Sequence, residues 1–340
     1  MIKHFIFFFC LSVMSYSQES LQYEKELENQ QNYNHYDISA IQENENFILR
    51  GSLITPKNSF EKVVVIVPGS GKDTRNNHFI LAEGLLKNNL AVFRYDERGL
   101  GESEGVFSNV RNGITSKSWD LYFLIKSLKQ TAILKNKKII LLGHSEGGMI
   151  SVGALEKGAT VDYLLQWAVP IFPRGAIFKY QIKTGVNKQE RNLQYPDENT
   201  KYAAIDSIDK IVGQHSSLSN PDLKKIIIKS MKESGFKEKQ FGWYISLPVY
   251  MDILRIDSRP FYKNISLPML YVIGSEDRNV DPVGNVELLK SFKNNNIQMK
   301  VFDGLNHYLN NQELGVPDQS MYKINDEAEK YIINWILSQK

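Results

Sequence analysis

The pentad Gly143-His144-Ser145-Glu146-Gly147 sets a serine between two glycines, where an apolar run, Lys138 to Leu142, gives way to a helical pattern. Small residues on both sides suit a sharp strand-to-helix turn, because strand and helix pass close together there. Such a turn holds the serine on strained backbone and lifts its hydroxyl above the sheet. The helix start adds free N–H groups and the positive end of a dipole, near any oxyanion that forms. The pentad alone is modest evidence; its place between a buried strand and a helix makes it a nucleophile signal.

A serine hydroxyl is a poor nucleophile near neutral pH, so a base must take its proton. The chain has six histidines. His4 lies in the N-terminal apolar region, His35 in a polar lead-in and His215 in a long interval without strands. His144 is expected to point away from its neighbour Ser145. His78 opens a helix, where it could line a pocket but has no obvious route to the serine. His307 remains, just past a strand, in Asp303-Gly304-Leu305-Asn306-His307-Tyr308. The base needs a third group to hold its tautomer. Asp277 in Gly274-Ser275-Glu276-Asp277-Arg278-Asn279-Val280 is the first choice, with Glu276 and Asp281 as alternatives.

An acyl-transfer site also needs donors aimed at the developing charge, worth roughly 3–4 kcal/mol each. One is the backbone N–H of Glu146, after the nucleophile. The other is expected at Ser70, in the turn Pro68-Gly69-Ser70-Gly71. Asp96 and Arg98, in the segment Phe93 to Ser103, read as charges that brace a loop.

Several elements must position these groups. Lys62 to Val67 (KVVVIV), Ala91 to Tyr95, Lys138 to Leu142 and Tyr163 to Val169 read as buried strands, as do Pro268 to Ile273 and Gln298 to Phe302. Helical stretches at Phe79 to Leu86, Trp119 to Leu128, from Gly147 onward, Val283 to Phe292 and Asp326 to Leu337 alternate with them. This alternation implies parallel βαβ units in one sheet flanked by helices, with function at the carboxyl ends of the strands. Phe47 to Ile54 reads as an extended segment ahead of it. The alternation breaks after Val169, where helix-leaning stretches such as Leu223 to Ser234 and the aromatics Tyr180, Tyr195, Trp243 and Tyr250 follow. Residues 35–170 and 262–340 are therefore expected to form the core. Residues 171–261 are expected to form a mostly helical cap inserted before the penultimate strand.

Composition narrows the function class. With 340 residues, 42% hydrophobic and 23% charged, the chain can bury a sizeable core. A net charge of +3 without a basic block argues against nucleic acid. No metal is expected, since no histidine pair or histidine–carboxylate cluster has ligand spacing. No cofactor is expected either, in the absence of a phosphate loop or dinucleotide fingerprint. Lys3, the apolar run Phe5 to Val13, and Ser15 and Ser17 have the order of a signal peptide, residues 1–17, cleaved near Ser17-Gln18. That run falls short of the roughly 20 residues that span a bilayer, and no other segment is long enough. Cys10, the sole cysteine, lies inside the run. A lipid-anchor reading of Cys10 is disfavoured by the bulky Phe8 and Phe9. Residues 18–34 then form the polar lead-in, and the protein is expected to be periplasmic or extracellular.

The motifs Val67 to His78 (VPGSGKDTRNNH), FRYDERGLGES, GHSEGG, FGWYISLPVYMDILRID, GSEDRNV and DGLNHYL together resemble one family. It is the α/β-hydrolase branch that contains bacterial secreted carboxylesterases and serine-aminopeptidase-like hydrolases. The likeness runs from about Phe47 onward and is weakest from about Phe172 to Gly242. It implies an α/β-hydrolase fold with Ser145 as nucleophile, Asp277 as acid and His307 as base, in the chain order usual for that fold. It also implies a small-molecule ester substrate. A peptidase acting on amides and an inactive, ligand-binding hydrolase fold are the alternatives. A dehalogenase or epoxide hydrolase would want aspartate where Ser145 stands.

Overall fold

The structure is a computed structural model that describes residues 27–108, 112–186, 197–312 and 323–340. The expected signal peptide 1–17, Cys10 within it, most of the polar lead-in and Tyr195 lie outside the described residues. Among the described residues eight strands form one sheet: β1 (Tyr33–Gln42), β2 (Phe47–Pro56), β3 (Lys62–Val67), β4 (Ala91–Tyr95), β5 (Lys138–His144), β6 (Tyr163–Trp167), β7 (Met269–Gly274) and β8 (Ile297–Phe302). Their spatial order is β1-β2-β4-β3-β5-β6-β7-β8. β1 pairs antiparallel with β2, and β2 antiparallel with β4. All the other pairs are parallel.

Every residue of β3, β4, β6 and β7 is buried. Helices cover such strands on both faces, so an unbroken apolar run serves better than an alternating one. Full burial of a valine or leucine there stabilises the fold by about 1.5–3 kcal/mol per side chain. The covering helices are α1 (Phe79–Lys87), α2 (Ile114–Gln130), α3 (Glu146–Glu156), and, later in the chain, α9 (Pro282–Ser291) and α10 (Asp326–Ser338).

One strand departs from expectation. β1 takes in Tyr33 to Gln42, whose outward residues His35, Asp37 and Ser39 are exposed while Ile38, Ala40 and Gln42 are buried. It lies at the edge of the sheet with one covered face, so its composition resembles that of a polar linker.

Among the described residues five α-helices separate β6 from β7: α4 (Ala176–Thr184), α5 (Glu198–Gln214), α6 (Asn220–Glu233), α7 (Pro248–Arg255) and α8 (Arg259–Asn264). This is the helical insertion before the penultimate strand. It has its own apolar cluster, to which Phe178, Ile205, Ile227, Met231, Tyr244 and Leu254 belong. α6 shows how the sequence makes such a helix. The Ser219 hydroxyl caps the Asp222 N–H, Pro221 sits in the first turn, and Leu223, Ile227 and Met231 recur every four residues on the buried side. Among the described residues no helix is long and apolar enough to cross a membrane.

Candidate active site

β5 ends at His144 and α3 begins at Glu146, so Ser145 alone makes the turn. Its backbone lies at φ 53°, ψ −121°, a strained conformation for a residue with a side chain. Two bonds hold the turn. Ser145 N donates to Trp167 O at 2.8 Å, and Gly148 N donates to Ser145 O at 3.0 Å. The glycines are small because there is no room. A Cβ on Gly143 would come within 2.6 Å of the Gly148 backbone, and one on Gly147 would strike the carbonyl oxygens of Val67 and Pro68.

Ser145, His307, Ser70 and Glu146 line one cavity of about 550 Å³ at the carboxyl ends of the strands. His307 is reached through the loop after β8. That loop crosses the end of β7 over Gly274, where a Cβ would collide with the carbonyl of Leu305. Asn306 and Asn310 then tie it together, Asn306 N donating to Asn310 O at 2.7 Å and Asn306 Nδ2 to Asn310 Oδ1 at 2.7 Å.

His307 Nδ1 lies 2.7 Å from Asp277 Oδ2, both side chains being buried. The other oxygen of Asp277 accepts from Asn279 N at 2.7 Å and Val280 N at 2.9 Å. The carboxylate is thus an acceptor for three donors, and the His307 Nδ1–H is the one that fixes the imidazole tautomer. With the proton on Nδ1, Nε2 keeps the lone pair that a base needs. The alternatives to Asp277 are occupied elsewhere: Glu276 is exposed, and Asp281 caps α9 by accepting from Gly284 N at 3.0 Å.

The amides of Ser70 and Glu146 have no hydrogen-bond partner among the described residues, and both residues line the cavity. Their side chains do have partners. Ser70 Oγ donates to Glu146 Oε2 at 2.8 Å, and Lys117 Nζ donates to Glu146 Oε1 at 3.0 Å. Lys117, near the start of α2, had no place in the motif reading.

One histidine reaches the site differently from expectation. His144 was expected to turn away, yet it lines the cavity beside His78, which does so as read from the sequence. His78 Nε2 lies 3.1 Å from His144 Nδ1, and His144 Nε2 lies 3.3 Å from the carbonyl of His307. Trp167 Nε1 donates to that same carbonyl at 3.2 Å, and its indole stacks on His144 with ring centres 4.4 Å apart. Burial, with Arg94 nearby, pushes His78 down to about 3, and burial holds His144 well below the usual histidine range. Both are therefore neutral packing groups beneath the loop that carries His307. Asp96 and Arg98 brace loops as expected. Asp96 pairs with Arg75 at 2.7 Å, and Arg98 with Asp120 at 2.6 Å.

The insertion supplies the facing wall, with Ile177, Phe178, Trp243, Leu247, Tyr250 and Ile253. Phe178, Trp243 and Tyr250 pack together, their ring centres 4.7–5.8 Å apart.

Residues 58–172 match the family described as serine aminopeptidase, S33. No curated protein matches the sequence. Among solved structures, an esterase of Pyrococcus furiosus is similar at 18% identity and a TM-score of 0.56, over 92% of this chain and 94% of that one. A carboxyl esterase from Bacillus coagulans is similar at 17% identity and a TM-score of 0.54, over 90% and 98% of the two chains. A bromoperoxidase from Bacillus anthracis, at 14% identity and a TM-score of 0.51, covers 89% and 99%. At such identities the likeness speaks for the fold, since one fold carries many activities. The sheet order, the serine turn and the inserted helices give this chain the α/β-hydrolase fold, with esterases among the structures it resembles.

Proposed function

We propose that this protein is a serine hydrolase that cleaves carboxylic esters through an acyl-enzyme on Ser145. The observation that carries this reading is the 2.7 Å contact of His307 with Asp277, at the cavity that the strained Ser145 also lines. In the first step His307 Nε2 takes the Ser145 proton as Oγ attacks the ester carbonyl carbon. The carbonyl oxygen becomes an oxyanion and accepts from the N–H groups of Ser70 and Glu146. His307 then returns its proton to the leaving alkoxide, which departs as the alcohol. Water gives a proton to His307 and attacks the acyl-enzyme; collapse of the second oxyanion breaks the bond to Ser145 Oγ, which takes the proton back from His307 as the acid is released.

Esters are favoured because one wall of the cavity is apolar and the esterase likenesses span nine-tenths of the chain. An aminopeptidase is the second reading, favoured by the family match over residues 58–172. A panel of p-nitrophenyl esters of rising acyl length, set against aminoacyl p-nitroanilides, separates the two. Faster release from esters, lost in Ser145→Ala, is the expected result; faster release from anilides favours the peptidase. We further propose export with cleavage near Ser17-Gln18. N-terminal sequencing of the mature protein checks this, and an intact Met1 would contradict it.

A further inference from the structure

We propose that Lys117 is a positioning residue for the oxyanion donors: it holds Glu146 against Ser70 and, shared with Glu97, offsets part of the Glu146 charge beside the developing oxyanion. This rests on the ester-hydrolase reading above.

Glu146 has two parts with opposite effects on that reaction. Its N–H is an oxyanion donor on the proposed reading, while its carboxylate brings a negative charge to the same cavity. One carboxylate oxygen accepts from the Ser70 hydroxyl at 2.8 Å, which joins the two residues whose amides flank the cavity. The other accepts from Lys117 Nζ at 3.0 Å. Lys117 also pairs with Glu97 Oε1 at 2.8 Å. Glu97 closes the ring on the loop that carries Ser70. Its Oε2 accepts from Asp73 N at 3.1 Å, and its own N–H donates to Asp73 O at 3.2 Å. A continuous set of polar contacts thus links the loops after β3 and β4, the start of α2 and the serine turn.

An ordinary surface ion pair does not describe this arrangement. The Lys117, Glu97 and Glu146 side chains are only 12%, 4% and 8% exposed. Lys117 is the fourth residue of α2, at the end of a helix where the dipole disfavours a cation. A buried ion pair is seldom more stabilising than an apolar substitute, so fold stability alone gives little reason for it here. Its position at the cavity does give one. Donors act on an oxyanion through preorganisation, and an unbalanced carboxylate alongside them works against the same charge.

Wild-type protein must first show ester hydrolysis that Ser145→Ala removes; its absence overturns this inference together with the reading beneath it. Given that activity, Lys117→Met is expected to lower kcat about tenfold or more while KM stays within about threefold. Adding Glu146→Gln, which removes the charge but keeps an acceptor for Ser70, is expected to bring kcat back to within about threefold of Glu146→Gln alone. A merely structural lysine would show its loss and rescue in urea titrations and leave kcat per folded molecule at the wild-type value. If Lys117→Met keeps wild-type kcat, or the double variant is no better than Lys117→Met, the inference falls and the hydrolase reading stands. Should Lys117→Met fail to fold, Ser70→Ala decides. It is expected to lose about fivefold in kcat with little change in KM, and wild-type kcat there overturns the inference.

Discussion

The rim of the sheet and the inserted helices face each other across one cavity, and they are built on different principles. On the sheet side, position is set by backbone. Gly143, Gly147 and Gly274 stand where a Cβ would meet main-chain atoms, and Asp277 is held by two amides and an imidazole. On the helical side, the wall is made of side chains packed on one another, Phe178, Trp243 and Tyr250 among them. α4 meets the Asp277 loop through hydrogen bonds to main-chain carbonyls. Tyr180 Oη donates to Asp277 O at 2.7 Å, and Thr184 Oγ1 to Arg278 O at 2.6 Å. On the proposed reading, the backbone-set rim would fix where bonds are made and broken, and the packed side chains of the wall would set which acyl group fits.

Substitutions on the two sides should therefore fail in different ways. The largest loss after Ser145 itself is expected at Asp277. An amide there can offer its NH₂ to His307 Nδ1 and move the imidazole proton onto Nε2. Asp277→Asn should lower kcat about 10³–10⁴-fold with little change in fold, measured by steady-state kinetics alongside circular dichroism. Gly147→Ala comes next. Its Cβ would strike the carbonyls of Val67 and Pro68, which belong to the chain and cannot swing aside. Overpacking of this kind costs about 1–3 kcal/mol, and displacement of the serine turn by about 1 Å costs about 100-fold in rate. Denaturant titration and kcat should fall together.

On the wall, Trp243→Ala should act on substrate choice. KM for esters of long acyl chains is expected to rise about tenfold, in line with about 1–3 kcal/mol of lost apolar contact, while kcat for the acetyl ester falls much less. A loss of kcat equal for all chain lengths would erase the proposed division between the two sides.

Much of the rim was legible in the sequence because its signals are local. The pentad, GSEDRNV and DGLNHY each follow a recognisable strand, and the apolar runs of β3, β5 and β7 are short and bounded by turn residues. What escaped was non-local. Lys117 and Glu146 are 29 residues apart, and His144 meets the carbonyl of His307 across 163. No helical or strand period encodes such contacts. β1 escaped for a different reason: as an edge strand with one solvated face, it carries His35, Asp37 and Ser39 where a buried strand would carry valines.

The remaining effect concerns pH and acts on stability. Burial keeps His78 and His144 neutral in the folded chain, with His78 down to about 3. Unfolded histidines take up protons below about pH 6.5. Their contribution to stability is therefore full above that pH and declines as pH falls below about 6.5, for His78 toward about 3, by up to about 1.4 kcal/mol per pH unit for each proton. Urea titrations at pH 7 and pH 5 should show this fall, and His78→Gln should make it shallower. An equal slope in the variant would place the acid sensitivity elsewhere.

The central claim is that Ser145 is made nucleophilic by a base held at His307. Reaction of the folded protein with a fluorophosphonate, followed by peptide mass spectrometry, tests it most directly. The adduct should lie on Ser145 alone and should form far more slowly in His307→Ala. A folded protein that stays unlabelled, or labels at Ser145 as fast without the imidazole, would contradict the account.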